Sequence, residues 1–312
     1  MTSDVKTERG RPDTIRAVPV RHPGRWIAVV VIAVLVAMFV NMLVTNKHLD
    51  WPTVGHYLFS PVIFRGIRMT IELTVLSMAI GIVLGTIAAV MRLSPNPVVS
   101  GVAWVYVWFF RGTPLLVQIV FWFAFANFIP RVSFGVPFGP SFWSKDSNSL
   151  ITLFVSALLA LSLNEGAYMS EIVRAGILSV DEGQSEAASA LGMTRSQLMQ
   201  RVVLPQAMRV IVPPTGNEIN SMLKNTALVS TIGLAELLRS AQTIYNANYK
   251  TIPLLIVAVL WYLLMTSILQ VGQFYIERHF GRGSSRTMAL TPVQKAKLAF
   301  SGMQHHGGGR AG

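Results

Sequence analysis

The sequence contains no cysteine, which excludes disulfides, thiol nucleophiles and cysteine-ligated metal sites. Charge is scarce too. Only 13% of residues are Asp, Glu, Lys or Arg, against about 25% in soluble domains. The charge that exists leans one way, with 26 Lys and Arg against 14 Asp and Glu, a formal net charge of +12. The six histidines (His22, His48, His56, His279, His305 and His306) all lie outside the apolar runs. No histidine cluster for a metal and no serine–histidine pair is therefore set up within them. What fills the chain instead is apolar: 52% of its residues are hydrophobic, and the mean hydropathy is +0.51. Long apolar runs with half the usual charge place the chain in a bilayer.

A helix needs about 20 mostly apolar residues to cross the hydrocarbon core. Residues 26–43 form one such run, too long for a signal-peptide core and followed by Thr45, Asn46 and Lys47 rather than a small-residue cleavage site; it reads as a retained helix. A second span covers about 69–91, where Gly81, Gly85, Ala88 and Ala89 allow close helix contact. The third lies within 98–129. A straight helix of that length would reach about 45 Å, and Arg111, Gly112, Thr113 and Pro114 sit in its middle, so a break is expected there. The fourth runs about 150–168, the fifth about 210–232 with polar interruptions, and the sixth about 252–274. The fold class is an all-α polytopic membrane protein of about six transmembrane helices.

Six spans put both termini on one side. With the N-terminus inside, most Lys and Arg fall in inner segments: those before Trp26, then Arg92, Arg174, Arg195, Arg201 and Arg209, then those after Phe274. The positive-inside rule favours N-in, C-in, and this topology absorbs the positive charge without nucleic acid. Some of these cations would rest on anionic lipid headgroups. Residues 1–25 and 281–312 read as disordered inner tails, the two adjacent histidines of the second being a solvated terminus rather than a metal site.

The inner segment 179–208, between the fourth and fifth spans, is the most informative. Asp181 with Gln184 can cap a helix start, and Thr194 with Gln197 is a capping box for a second one. Gly192 between them suits a left-handed C′ position, and Pro205 should end or bend the second helix. Two short helices around a glycine hinge follow, the first with an alanine-lined face. On these grounds alone, an ordinary interfacial hairpin is an equal reading.

The pattern Glu186-Ala187-Ala188, Gly192, then Val202, Leu204 and Pro205 resembles the EAA loop of permeases of ATP-binding-cassette (ABC) importers, with valine where isoleucine is usual. Segments 70–74 (TIELT), 110–118 (FRGTPLLVQ), 167–174 (AYMSEIVR), 204–209 (LPQAMR) and 213–228 resemble the polar amino-acid branch (histidine/glutamine/arginine type), although Asn225 and Ala227 replace the aspartate and serine usual there. The resemblance covers 65–276 and implies a five-helix type I importer core, with 26–43 as an added helix. It also implies that Glu186, Ala187, Ala188, Gly192, Leu204 and Pro205 couple to cytoplasmic ATPase subunits. A second permease chain, identical or homologous, and a periplasmic amino-acid-binding protein complete the machine, in the inner membrane of a bacterium. The chain has no glycine-rich lysine loop for ATP, so no cofactor is expected on it and nucleotide binds the partner.

Ionisable residues inside spans are costly and usually face a wet route. Asn164, Glu165, Asn217, Asn220 and Lys224 are the leading candidates for the path, with Glu72, Glu171, Glu218 and Asn225 behind them. Asn217, Asn220 and Lys224 share a helix face at i, i+3, i+7. Carboxylates would meet the cationic group of an amino acid, and Lys224 its carboxylate. The same residues would equally serve as helix–helix pairs. Arg111 could hold a broken helix end through its carbonyls, while Gly112, Thr113 and Pro114 shape the break. Two rival readings remain: the same machine carrying an opine or other amino-acid derivative, and an ATP-independent secondary transporter, for which internal repeats would be expected and none is visible.

Overall fold

The computed structural model describes residues 23–136 and 141–280. The tails expected over 1–25 and 281–312 lie outside these residues, apart from Pro23, Gly24 and Arg25. Two units are distinguished, 1–50 and 51–312. The first holds α1 (Pro23–Thr45) and a short 3₁₀ helix (Lys47–Leu49) whose N-cap, Asn46, accepts from the His48 amide. From Ile27 to Phe39, α1 is exposed and apolar around its whole circumference, the pattern of a membrane span.

The second unit begins with α2 (Trp51–Leu58) and α3 (Pro61–Arg92), the latter opened by Ser60 as N-cap and Pro61 in its first turn. α4 (Pro97–Gly112) and α5 (Leu115–Phe123) follow, then the single turn α6 (Phe125–Phe128), strands β1 (Arg131–Gly135) and β2 (Ser141–Asp146), and the turn α7 (Ser147–Leu150). α8 (Leu153–Leu178) leads into α9 (Glu182–Ala190) and α10 (Arg195–Leu198). A π-helical turn (Met199–Val203) joins α10 to α11 (Leu204–Asn225), which continues as a 3₁₀ segment (Thr226–Ile232). α12 (Leu237–Asn248) and α13 (Thr251–Phe280) complete the fold.

Among the described residues, α1, α3, α8 and α13 are long and apolar enough to cross a bilayer, and α4 with α5 makes a fifth span if the bent pair is taken as one. The expected span over 210–232 is α-helical to Asn225 and 3₁₀-helical to Ile232, and falls short on apolarity. Pro213, Pro214, Asn217, Glu218, Asn220 and Lys224 interrupt it, α8 and α13 flank it, and the residues it buries are Ala207, Ile211, Met222 and Leu223. The antiparallel hairpin β1–β2 was not foreseen in an all-α fold. It pairs Arg131 with Asp146 and Phe134 with Trp143, the last two rings 5.7 Å apart.

Unlike a soluble bundle, this one carries apolar residues on its outside and small polar residues among the apolar ones within. Thr70, Thr74, Ser77, Ser162 and Ser170 are buried between helices, while Val75, Val83, Val90, Leu263 and Ile268 point outward. Thr74 and Ser162 return their hydroxyls to the carbonyls of Thr70 and Leu158, four residues back, which satisfies them without water.

Three buried apolar clusters succeed one another along α3. The first joins Ile63 and Ile67 to Leu254 and Val257 of α13. The second joins Leu73 and Met78 to Ile119 and Leu161. The third joins Ala89 to Met169, Val173 and Ala207. α3 and α8 make the closest contact, as the small residues predict. A Cβ added at Gly85 would lie 2.5 Å from the Met169 Cβ, and one at Gly81 would lie 2.8 Å from the Glu165 Cβ.

Candidate functional site: a broken helix, its cavity and the loop beyond it

α4 and α5 meet at an angle of 101°. Thr113, held extended (φ −111°, ψ 143°) by the proline after it, and Pro114 produce the turn. A break this sharp leaves carbonyls without helical partners inside an apolar environment, at a cost of several kcal/mol if they stay bare. They do not stay bare. The Phe110 carbonyl accepts from Gln118 Nε2 at 3.0 Å and from Asn164 Nδ2 at 2.9 Å. Gln118 Nε2 also reaches the Thr113 carbonyl at 3.1 Å and its Oγ1 at 2.8 Å, and Asn164 Nδ2 lies 3.3 Å from Gln118 Oε1. The clasp expected of Arg111 is thus made by Gln118 and Asn164, while the Arg111 guanidinium is turned to Glu171, 3.7 Å away. The visible signal was Gln118 itself, the one polar residue in the run LLVQIVFWF.

The break opens a cavity of about 370 Å³ lined by Arg111, Gly112, Thr113, Pro114, Asn164, Glu165, Tyr168, Glu218 and Asn225 among others. Glu165 is 4% exposed, and its Oε1 has no hydrogen-bond partner. Among the described residues, neither Glu165 nor Glu218 has an ion-pair partner. Two carboxylates on one polar cavity can meet the cationic group of a solute.

A second cavity, of about 410 Å³, shares Arg111, Gly112 and Tyr168 with the first and adds Arg92, Trp104, Val107, Trp108 and Glu171. Glu171 sits among three guanidinium groups: Arg174 at 2.8 Å, Arg92 at 3.1 Å and Arg111 at 3.7 Å. Arg111 also lies over the Tyr168 ring, 5.3 Å from its centroid, a cation–π distance.

The predicted path residues separate into two groups. Asn164 and Glu165 face the cavity together with the Arg111–Pro114 segment. Asn217, Asn220 and Lys224 do not line it. Gln273 of α13 donates to Asn217 Oδ1 at 3.0 Å and accepts from Asn220 Nδ2 at 3.1 Å, and Lys224 is exposed. The cavity takes Glu218 and Asn225 of α11 instead, at i, i+7 on the neighbouring face. Of the secondary candidates, Glu72 pairs with Arg68 at 2.7 Å on an exposed face.

The loop at the end of α8 builds itself from local chemistry. Asp181 caps α9 by accepting from the Gly183 amide, without help from Gln184. Gly192 has φ +75°. The Met193 amide bonds the Ala188 carbonyl and the Gly192 amide bonds the Ser189 carbonyl, the two bonds of a Schellman turn. The Thr194–Gln197 capping box is fully formed. Glu186 and Ala187 are exposed, but Ala188 is 5% exposed. Hence the predicted alanine face divides, with Ala187 and Ala190 outward and Ala188 buried, and α9 packs against the chain's own π-helical turn. Leu204 is exposed. Pro205 does not end the helix; it occupies the first turn of α11, where a missing N–H costs least.

Residues 81–282 match the family model of the binding-protein-dependent transport system inner membrane component. The chain belongs to this family. The permease is 49% identical over 291 residues to the arginine transport system permease protein ArgU of Corynebacterium glutamicum, covering 93% of this chain and 90% of that one. It is 40% identical over 249 residues to the L-cystine transport system permease protein TcyB of Bacillus subtilis, covering 78% and 98%. The crystal structure of an amino acid ABC transporter with histidines matches at 35% identity and a TM-score of 0.61, covering 71% of this permease and 95% of that chain. The permease is therefore a multi-pass inner-membrane subunit of an ABC importer. It works with ATPase partners and a substrate-binding protein and is not itself an enzyme.

Proposed function

We propose that this permease carries a cationic amino acid, of which L-arginine is the leading case, inward through the cavity at the α4–α5 break. The observation that carries this reading is the pair Glu165 and Glu218, two carboxylates without an ion-pair partner among the described residues, on a 370 Å³ cavity. That volume is within the range of about 300–1,000 Å³ for small-molecule sites. The relative with the highest quoted identity has arginine in its name.

Residues 65–276 form the transport core and α1 is an addition to it. Two such chains, identical or homologous, form the pathway. Both termini lie inside, as the distribution of Lys and Arg favours. The segment 179–208 then faces the cytoplasm, and Glu186, Ala187, Gly192, Leu204 and Pro205 present it to the ATPase, with Ala188 holding α9 onto its own subunit. Asn164 serves the break rather than the solute. Asn217 and Asn220 join α11 to α13, and Lys224, on the outer face of α11, meets a neighbouring helix of the assembled transporter.

ATP-driven uptake of labelled L-arginine into vesicles, with the partner ATPase and binding protein present, tests the reading. Glu165→Gln and Glu218→Gln each should lower uptake at least tenfold, a factor equivalent to about 1.4 kcal/mol. Unchanged uptake in both variants refutes the cavity as the route. The identity to an L-cystine permease favours a second reading, in which the cargo is an amino-acid derivative, an opine included. A thermal-shift screen of the binding protein against arginine, cystine and opines decides between them.

A further inference from the structure

The three cations around Glu171 are not equivalent. Arg174 binds Oε2 through two nitrogens, Nε at 3.0 Å and Nη2 at 2.8 Å. Arg92, anchored at the end of α3, donates to Oε1 at 3.1 Å. Arg111 is the most distant, at 3.7 Å from Oε1, and its side chain is the most exposed of the three at 43%. It adds the face contact with Tyr168. Its backbone stands at the helix break, so it borders both cavities. A carboxylate flanked by an aromatic face is the chemistry that binds a guanidinium or ammonium group. Arg111 fills that position with the same functional group that a cationic amino acid carries.

We infer that Glu171 and the Tyr168 ring form a second cation site for the cargo, beyond the Glu165–Glu218 cavity, and that the tethered Arg111 guanidinium occupies it until the cargo displaces it. This rests on the cationic-cargo reading above. The exchange conserves charge. As the cargo leaves Glu165 and Glu218 for Glu171, Arg111 turns from Glu171 to the two carboxylates just vacated in the first cavity, which it also lines. Glu171 keeps a cation throughout, and the two carboxylates of the first cavity keep one from the arrival of the cargo onward, so no bare charge crosses the apolar interior.

Arg111→Gln, Arg111→Lys and Tyr168→Leu test this in the full transporter, reconstituted with its ATPase and binding protein. Removing the Arg111 cation frees its place at Glu171, beside Arg92 and Arg174, so cargo should bind there and leave slowly. Arg111→Gln should lower KM for L-arginine and kcat together, each by about fivefold, the worth of one partly exposed ion pair. Arg111→Lys should fall between Arg111→Gln and the wild type. Adding Glu171→Gln to Arg111→Gln should abolish the gain in affinity. Tyr168→Leu loosens the site for both cations and should raise KM. A merely structural Arg111 would raise KM, or lower kcat alone, and the second substitution would make it worse; either result overturns the exchange. Should Arg111→Gln fail to assemble, Arg111→Lys and Tyr168→Leu carry the same contrast, and wild-type KM in both overturns it. A wild-type transporter that imports no cationic amino acid overturns the cargo reading, and the exchange falls with it. Wild-type import of arginine with none of these shifts overturns the exchange alone.

Discussion

The break at Gly112–Pro114 and the loop at 181–205 are both places where helices stop, yet they are held in opposite ways. The loop satisfies its helix ends from within: Asp181 to Gly183, Met193 to Ala188, and Thr194 reciprocally with Gln197. The break depends on distant residues, Gln118 eight positions and Asn164 54 positions from the carbonyl they share. A self-capped element can shift as a body without leaving backbone groups bare. An element clasped by another helix cannot move without it.

The largest test of this contrast lies at the break. Gln118→Leu and Asn164→Leu each leave the Phe110 carbonyl with one donor; Asn164→Leu alone should be mild, and Gln118→Leu, which also strips the Thr113 carbonyl of its donor, should cost more. The double variant orphans that carbonyl and should lower stability by about 1–3 kcal/mol beyond the sum of the single variants. Thermal unfolding of the purified transporter measures this, and simple additivity would show that the two amides do not share one role.

Next comes Gly192→Val. A left-handed backbone at a residue with a side chain costs about 1–2 kcal/mol, and the strain falls within the loop. Uptake should drop sharply while membrane insertion and the unfolding midpoint of the bundle stay near wild type. Gly192→Asn, which tolerates this conformation better, should retain more uptake than Gly192→Val. Uptake that survives Gly192→Val in an inserted chain would remove the loop from coupling.

The smallest effect belongs to Thr194→Ala, which removes one half of the capping box at about 1 kcal/mol. Amide exchange over 194–203 should quicken with no change in the bundle. Thr194→Ser should restore protection.

The same contrast explains what could be read from the sequence. Both caps of the loop and the φ of Gly192 follow from residues within a few positions of one another, and their types name the partners. The break was visible as Gly112 and Pro114, and the close α3–α8 contact as Gly81 and Gly85. What stabilises the break was not, because Asn164 looks the same whether it meets a solute or a carbonyl. On α11, polar residues at 217, 218, 220, 224 and 225 cover more than one face. The sequence alone does not say that Gln273, over 50 positions further on, claims Asn217 and Asn220 and leaves Glu218 and Asn225 to the cavity. The hairpin was hidden for another reason. Its strands are short, and most of their residues are exposed, so hydrophobic alternation toward a core is absent.

The glycine contact between α3 and α8 has a mechanical consequence. With backbones this close at Gly81 and Gly85, and Arg92 fixed to Glu171 at the far end, the two helices have the bending stiffness of one thick beam rather than two rods. α9 joins that beam through the short link Ser179–Asp181. Under the coupling proposal, a push on the loop would have to travel about 20 Å along α8 to reach Glu165.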